Sequence, residues 1–536
     1  MVKYNDFCKT NNHSYNLYNA IRYCKENQED TLVFDKGKYE FFDDLAAETV
    51  LCVSNHDIYG IKRVAFLIDE MDDFCIDGGG SEFIFHGSLI PFAIKNSKNI
   101  TLKNFSVDID EVMTLDTLVT AVTDEYFEVL VVNDEKYCVE GNMLYLYNSY
   151  GEKDIFHYLG IRSFGDDKSF IAESKDEFRV FNDDLYVKAV GDKRLRFYNS
   201  QLEVKKDMHI ITRGTQRYAC DIVADNSKNV NIENIILYKS YSMGLLAQKT
   251  ENITVDKMIV KSKSDSLFSL NTDATHFVHC KGKVTVKNSE FSEQQDDALN
   301  IHGVFTRITD KGDDYILIKY MHKSAKGMNI YEPGDEIAVL NPKTLIANGV
   351  YKIKAVEVIN LNYTKLYLDG RTENINVGDD VEDLTWSCDL EFVNNKVTNN
   401  RARGILIAAK GKVEIKNNYF NTPGVAILFE SDGEKWFESG GTNEVSIENN
   451  IFDNCAYSRG WGDAVISVKP REEFNGRDYY HKYISVKNNK FNNNTADIIH
   501  ADNIEKIQIS ENIVKGKAEI KIADCKEVNS DILVQD

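Results

Sequence analysis

Apolar and polar residues alternate in short segments of this chain, and the segments share one pattern. It reads, loosely, Asn-(Val/Ile)-x-(Val/Ile/Leu)-x-Asn-x-x-(Phe/Val). Copies begin at Ser97, Ser227, Thr250, Gly282, Gly411, Asn443, Lys482 and Ile504. Two pairs of equivalent apolar positions, Val230 with Ile253 and Ile484 with Ile507, are each 23 residues apart. Alternation of this kind indicates a β-strand with one buried face.

The repeat predicts the fold class. One copy alone cannot bury its apolar face, whereas copies stacked on each other can. The recurring asparagine fits a turn with left-handed backbone, whose side chains stack from coil to coil as an amide ladder. We therefore predict an all-β protein, a right-handed parallel β-helix with two inserted small antiparallel β-barrel or sandwich domains. A β-sandwich with coincidentally similar strands is the alternative.

Two stretches keep alternating strands but lose the asparagine pattern, and they divide the chain. We expect an N-terminal cap and first coils at 1–109, an inserted β domain at 110–200, coils that carry the acids Asp273, Asp296 and Asp297 at 201–303, an inserted β-barrel at 304–386 and C-terminal coils at 387–536. Apolar residues at helical spacing between Asn16 and Lys25 predict a short helix that caps the solenoid. The inserted barrel directly follows His302-Gly303, so we expect it to form a wall beside the acids.

Charge and cysteine usage exclude several classes of function. The chain has 63 basic and 85 acidic residues, and a net charge of −22 disfavours nucleic acid and anionic membranes as partners. Its ten cysteines form no CxxC pair, so neither a zinc knuckle nor a redox motif is expected. The N-terminal residues lack an apolar signal region, which predicts a cytoplasmic protein, or a secreted one if a leader has been removed. The sequence is compatible with a homodimer but does not determine the oligomeric state.

Three aspartates carry the candidate chemistry. Asp273 precedes the pair Asp296-Asp297 by 23 and 24 residues, close to one repeat length. In a stacked solenoid this spacing places them side by side on adjacent coils. Crowded carboxylates cannot all ionise cheaply, so one retains its proton and the others activate water, as an inverting glycosidase requires. The alternative is that one aspartate of the pair only caps a turn.

Several motifs resemble those of glycoside hydrolase family 110, the inverting exo-α-1,3-galactosidases. The matching stretches follow the family's order along most of the chain and are 63–66, 76–87, 272–280, 295–303, 400–407 and 436–440. The resemblance implies a β-helix with inserted barrels, hydrolysis with inversion, and neither metal nor cofactor. It implies terminal α-1,3-linked galactose as substrate, as in blood-group B or linear α-galactosyl glycans.

The resemblance also implies a catalytic set of Asp273, Asp296 and Asp297. Polygalacturonases share an Asn-Thr-Asp and Asp-Asp arrangement on the same scaffold. By that analogy Asp296 is the general acid, and Asp273 with Asp297 holds the water. Which member of the adjacent pair carries the proton stays open at this point.

Other side chains near the acids are candidate sugar ligands. Histidines and arginines bond hydroxyls or tune carboxylates, and an indole covers the apolar face of a pyranose. The predicted substrate-binding residues are His276, Asn300, His302, Arg401, Arg403, Trp436 and Glu438. Structural roles are the alternatives, namely a ladder position for the asparagine, surface ion pairs for the arginines and core packing for the tryptophans, including Trp461.

Two other functions compete with this one. A β-helix hydrolase of another polysaccharide, such as a polygalacturonase, would need basic subsites for uronates, and the acid region lacks that kind of basic cluster. A non-catalytic glycan-binding β-helix of the tailspike type would not need three acids on adjacent coils.

Overall fold

The computed structural model describes residues 1–56, 59–164, 170–171, 186–198, 204–214, 217, 219–263, 266–469 and 473–534. Along the chain these residues form a helix, the first coils of a solenoid, an antiparallel sheet, further coils, a closed barrel and the last coils. The predicted fold class, a parallel β-helix with two inserted antiparallel β domains, is confirmed. The predicted limits of the five domains remain predictions.

The solenoid strands form three parallel ladders. The first contains Gly60–Asp69, Ile90–Lys95, Ile222–Asp225, Leu245–Gln248, Thr275–Val278, Leu299–Val304, Ile405–Ile407, Ile427–Phe429 and Ala464–Val468. The second contains Val2–Lys3, Thr31–Val33, Asp72–His86, Lys98–Ile109, Lys228–Leu237, Glu251–Asp256, Lys281–Lys287, Cys388–Val393, Lys412–Lys416, Glu444–Glu448 and His481–Lys487.

The third ladder contains Lys38–Phe42, Ile259–Val260, Glu290–Ser292, Lys396–Thr398, Tyr419–Asn421, Ile451–Asp453 and Lys490–Asn494. Three long strands of the second ladder, starting at Asp72, Lys98 and Lys228, bend and continue into it. The last coils are two bent strands, Asp497–Gly516 and Ile520–Val534. Ala47–Leu51 and Glu438–Ser439 pair antiparallel with first-ladder strands.

The two inserted domains are antiparallel. The first is a sheet of Thr114–Val122, Tyr126–Val131, Lys136–Glu140, Met143–Tyr147, Lys153–Phe164, Phe170–Ile171, Tyr186–Gly191, Arg194–Tyr198 and His209–Gly214. The second is a closed barrel of Thr306–Lys311, Tyr315–Tyr320, Glu336–Leu340, Ala347–Val358, Tyr363–Leu368 and Asp380–Asp383. The barrel core includes Val278 and Val304 of the solenoid, so the barrel packs on the outer face of two first-ladder strands.

The predicted cap is a helix, His13–Asn27. Its buried face includes Leu17, Ala20, Ile21 and Cys24, as the apolar spacing predicts. Short 3₁₀ helices lie at Tyr4–Phe7, Asp43–Leu45, Lys323–Ala325 and Arg459–Trp461. In the described part of the chain, no helix is long and apolar enough to span a bilayer.

Two adjacent asparagines at a solenoid turn have different roles, one in the backbone turn and one in the amide ladder. Asn449 has a φ of 59° and is exposed, while its neighbour Asn450 is fully buried. The Asn450 side-chain amide donates to Asn489 Oδ1 at 3.0 Å and to Ile415 O at 2.8 Å. Its oxygen accepts from the Asn418 backbone and side chain, both at 2.9 Å. The predicted amide ladder is confirmed, and the left-handed turn belongs to the preceding residue.

We expect Asn450→Ala to lower the free energy of unfolding by at least about 2 kcal/mol, because several buried polar groups lose their partner. Asn449→Gly is the matched control, since glycine tolerates the left-handed φ at this exposed position. Thermal and urea unfolding midpoints of the two variants measure the difference. Equal midpoints would show that the ladder contributes nothing beyond the turn.

Candidate active site

Three neighbouring first-ladder strands position the acids. Thr275 lies opposite Leu299, which lies opposite Ile405 in the next coil. The residues two positions before them are Asp273, Asp297 and Arg403. The backbone N–H of Ala274 donates to Asp297 O at 2.9 Å, so the register continues through this turn. Asp273 and the Asp pair therefore lie on adjacent coils, as their spacing predicts.

Strand alternation selects the side chains that face away from the solenoid core. Phe277 and Ile301 belong to the core, so the residues between core positions face outward. His276 and Asn300 are such residues and lie opposite each other, with Leu406 next in line. The site is thus built on the outer surface of the solenoid, at the start of three strands.

Asp297 is held by one arginine. Its Oδ1 accepts from the Arg403 backbone N–H at 3.1 Å and from Arg403 Nε at 3.0 Å. Its Oδ2 lies 2.8 Å from Arg403 Nη2, and the carboxyl is fully buried. Both oxygens therefore face a fixed guanidinium, and this acid is a structural neighbour of the cavity instead of part of its lining.

The Asp296 carboxyl is held less tightly by arginine than the Asp297 carboxyl. Its Oδ2 lies 3.7 Å from Arg401 Nη2, which is too long for a direct hydrogen bond. Its Oδ1 is buried with no hydrogen-bond partner among the residues that the structure describes. Arg401 is itself fixed by donation from Nε to Gln295 O at 2.5 Å. The Asp296 side chain as a whole is 18% exposed and lines the cavity, so its carboxyl can pass a proton to a substrate there.

Burial and mutual repulsion shift the ionisation of the acids. Burial, and then the charge of Asp273, raises the pKa of Asp296 to about 6, while nearby arginines oppose the shift. Burial also raises the pKa of Asp273, which Arg217 and Arg403 oppose. For Asp297, burial raises the pKa and the Arg403 pair opposes it. Near neutral pH the cluster therefore retains a proton.

Close spacing of the acids raises the question of a metal. One oxygen from each of Asp273, Asp296 and Asp297 lies within 4.8 Å of the others. Guanidinium groups already supply positive charge here, since Arg403 pairs with Asp297 and Arg401 lies near Asp296. We assign no metal ligands among these residues, and the expectation of a metal-free site stays a prediction.

A cavity of about 460 Å³ opens over two of the acids, a size typical of a small-ligand pocket. Its lining residues are Asn55, Arg213, Arg217, Met243, Asp273, His276, Asp296, Asn300, Arg401, Arg403, Leu406, Glu430, Asp432, Lys435, Trp436, Glu438 and Trp461. Most of the predicted site residues are in this set. Asp297 and His302 are not, and both lie directly behind lining residues.

The two tryptophans of the cavity contact different partners. The Arg401 guanidinium carbon lies 4.7 Å from the centre of the Trp461 ring, a cation–π arrangement. Trp436 packs near His322, with ring centres 5.0 Å apart. Core packing is therefore not the role of Trp461, which borders the cavity with Trp436.

Several lining residues carry no signal in the sequence. Arg213 is the penultimate residue of His209–Gly214, the last strand of the first inserted sheet, and Arg217 lies three residues after that strand. Asn55 belongs to a turn between antiparallel strands near the N-terminus, and its side chain lies 2.8 Å from His276 Nε2. These residues lie outside the repeat, so coil spacing could not place them. Two arginines outside the repeat, close to the end of an inserted domain, are the signal that could have indicated Arg213 and Arg217.

The inserted barrel supports the cavity from behind. Among the described residues, none of those that line the cavity comes from 304–386. His322 of this segment packs on Trp436, and Ser324 O accepts from the Asn55 backbone N–H at 3.2 Å. The expectation that the barrel itself forms a wall is thus corrected, because the loops it holds form that wall.

Solved structures with similar architecture include a family 28 exopolygalacturonase of Yersinia enterocolitica. It has 10% identity and a TM-score of 0.41, covering 100% of this chain and 78% of that one. A mannuronan C-5 epimerase module of Azotobacter vinelandii has 8% identity and a TM-score of 0.40, with 100% of each chain covered.

Sequence comparisons are more specific. Residues 315–381 match the family model described as GLAA-B beta-barrel domain II. The chain is 30% identical over 483 residues to alpha-1,3-galactosidase A of Shewanella woodyi, covering 89% of this chain and 78% of the relative. It is 30% identical over 528 residues to alpha-1,3-galactosidase B of Phocaeicola vulgatus, covering 93% and 87%. The chain therefore belongs to the α-1,3-galactosidase family that its motifs resemble, glycoside hydrolase family 110.

Proposed function

We propose that this protein is an exo-acting glycoside hydrolase that removes terminal α-1,3-linked galactose from glycans. The observation that carries the proposal is the cavity with Asp273 and Asp296 in its lining, where Asp296 has a pKa of about 6. Two carboxyls in different environments are what acid and base roles at one glycosidic bond need. The names of the relatives support the sugar and the linkage.

Asp296 is the general acid in this proposal. Its raised pKa keeps a proton available near neutral pH, and its carboxyl lines the cavity in which the leaving oxygen would lie. Arg401 Nη2 lies 3.7 Å from Asp296 Oδ2, close enough to steady the carboxylate that forms after proton transfer.

Asp273 is the base that takes a proton from water. Its Oδ2 lies 2.7 Å from His276 Nδ1, which orients the carboxyl, and it lines the same cavity as Asp296. Asp297 holds Arg403 beside both acids instead of holding the water itself, because its oxygens face that guanidinium. This division departs from the polygalacturonase analogy at Asp297.

We propose inversion of configuration. In its support, Asp297 is paired with Arg403 and does not line the cavity, so it is not placed to attack the sugar, and the contact with His276 suits Asp273 as a base. The closest acid oxygens, within 4.8 Å of one another, are nearer than the ~6.5–9.5 Å typical of inverting carboxyl pairs. That spacing is the specific observation that favours retention as the second candidate outcome.

The remaining lining residues are the candidate contacts of the sugar. Asn300, Arg401 and Glu438 offer donors and acceptors for hydroxyls, and Trp436 and Trp461 offer apolar faces at the cavity border. The partner is thus a galactose-terminated glycan. We retain the homodimer as a proposal, and light scattering of the purified protein measures it.

We expect Asp296→Asn to be selective for the leaving group. Its activity on an α-1,3-galactobiose should fall about 10²–10⁴-fold, since the alkoxide needs a proton. Its activity on a p-nitrophenyl α-galactoside should fall far less, because nitrophenolate leaves without one. Asp273→Asn, the matched control, should lose activity on both substrates to a similar degree. Equal losses on both substrates for Asp296→Asn would remove it from the acid role.

The anomer formed first tests the stereochemistry. We expect proton NMR of a fresh reaction to show β-galactose before mutarotation, because water attacks the face opposite the leaving group. Initial α-galactose would establish retention and agree with the short spacing of the acids. No release from any α-galactoside by the wild-type protein would remove the proposed activity altogether.

Removing a nearby cation should move the alkaline limb of the pH profile. Arg217 opposes the raised pKa of Asp296, so Arg217→Gln should raise that pKa further. The acid then keeps its proton to higher pH, and the alkaline limb of kcat/KM moves upward. Lys435→Gln, which removes a cation from the cavity border, is the control and should leave that limb in place. A limb that moves downward in Arg217→Gln would contradict the assignment.

A further inference from the structure

A line of buried polar groups runs from the proposed base to Glu438, another residue of the cavity lining. Asp273 Oδ2 lies 2.7 Å from His276 Nδ1, and His276 Nε2 lies 3.1 Å from His302 Nε2. His302 Nε2 in turn lies 3.6 Å from Glu438 Oε1. The two imidazoles are 1% and 7% exposed, so exchange with bulk water is restricted.

The partners of each nitrogen determine how many protons the line holds. His302 Nδ1 lies 2.6 Å from Gly303 O, a carbonyl that only accepts, so this nitrogen carries hydrogen. One proton lies between Asp273 Oδ2 and His276 Nδ1. Another lies between the two Nε2 atoms, because two lone pairs would repel at 3.1 Å. The three groups therefore hold three protons.

Three protons can be arranged in two ways along this line. In the neutral form, Asp273 is protonated and donates to His276 Nδ1, while His276 Nε2–H donates to His302 Nε2. In the ionised form, Asp273 is a carboxylate, His276 Nδ1–H donates to it, and His302 carries hydrogen on both nitrogens. The two forms differ by the movement of two protons along the line and by one further contact. Asn55 Nδ2 lies 2.8 Å from His276 Nε2 and can donate to it only in the ionised form, so Asn55 favours that form.

We propose that His276 and His302 form a proton relay that ionises Asp273. The Asp273 proton moves to His276 Nδ1 as the His276 Nε2 proton moves to His302 Nε2, and Glu438 stabilises the resulting imidazolium. No bond other than N–H and O–H bonds changes, and no proton leaves the three groups. This inference rests on the proposed function, in which Asp273 must be ionised to accept a proton from water.

The remaining proton transfers of the catalytic cycle also balance. When water attacks the sugar, its proton goes to the free oxygen of Asp273, and the proton of Asp296 goes to the leaving oxygen. Asp273 then returns one proton to water in the cavity, and Asp296 takes one from it. His276 and His302 are positioning residues, because they act on the substrate only through Asp273.

Burial explains why Asp273 needs a relay to become ionised. Burial raises the pKa of Asp273 and lowers that of His276, so each group alone favours its neutral form. Moving the proton on to His302 places the positive charge nearest to Glu438. The charged and titratable groups around the relay are Asp273, Asp296, Glu438, Arg217, Arg403, His56 and His279.

His302→Gln tests the relay through the acidic limb of the pH profile. Glutamine keeps a polar atom near Nε2 but cannot take the proton, so Asp273 must release its proton to solvent. We expect kcat at neutral pH to fall about 10²-fold. The acidic limb of kcat/KM should move upward by about one unit or more, because a buried carboxyl ionises at higher pH. Activity should partly recover as the pH rises.

His279→Gln is the matched control. His279 is a buried histidine directly after the strand Thr275–Val278, and its Nε2 bonds Ile330 O at 3.1 Å, away from the cavity. This variant should lose stability without moving the acidic limb. If His302→Gln loses activity equally at every pH, its role is structural and the relay is wrong.

Nitrogen-15 NMR of the histidine side chains tests the relay without any turnover. We expect the His302 Nε2 signal of the wild-type protein to report a nitrogen that is protonated at least part of the time at neutral pH. Glu438→Gln, which removes the counter-charge, should move that signal toward an unprotonated nitrogen. An Nε2 signal that is unprotonated in both proteins would overturn the relay. Failure of galactoside hydrolysis alone, with the expected NMR shifts, would overturn only the proposed function.

Discussion

The register between successive coils determines where every residue of this site lies. Parallel pairing holds Thr275, Leu299 and Ile405 opposite one another, so each residue before them is placed as well. The buried amide ladder reinforces the same register at the turns, since each asparagine bonds its equivalent on the next coil. A shift of one residue would turn the acids toward the apolar core and bury unpaired charge.

That register brings three carboxyl groups together, and the positive charge of nearby arginines reduces their mutual repulsion. Arg403 occupies on its coil the position that Asp297 and Asp273 occupy on theirs. Its positive charge therefore lies next to the crowded carboxyl groups. Arg213, in the last strand of the first inserted sheet, and Arg217, which follows that strand, act on Asp296 as well. Solenoid and insertion therefore each supply part of one charge balance, and neither alone would make the cluster stable.

The fold and the centre of the site could be predicted because both repeat. Alternating residues and the 23-residue spacing indicate the coils, and the same spacing places Asp273 beside Asp296. Asn55, Arg217 and Lys435 could not be predicted, because their loops reach the cavity through tertiary contacts that have no period. The role first given to Asp297 changed for a similar reason, since only the structure shows that its oxygens face Arg403.

Adjacent aspartates with the same chemistry acquire different roles from their surroundings. Asp297 lies in line with Arg403, and both of its oxygens face that guanidinium, whereas Asp296 lies one position earlier and its carboxyl lines the cavity. The base, one coil away, contacts a histidine pair that can accept its proton without exposing it to water. Acid and base are thus distinguished by which neighbours the coil register supplies. The insertions add what a solenoid surface cannot build, since the first brings Arg213 to the cavity and the barrel holds Asn55 and Trp436 in place.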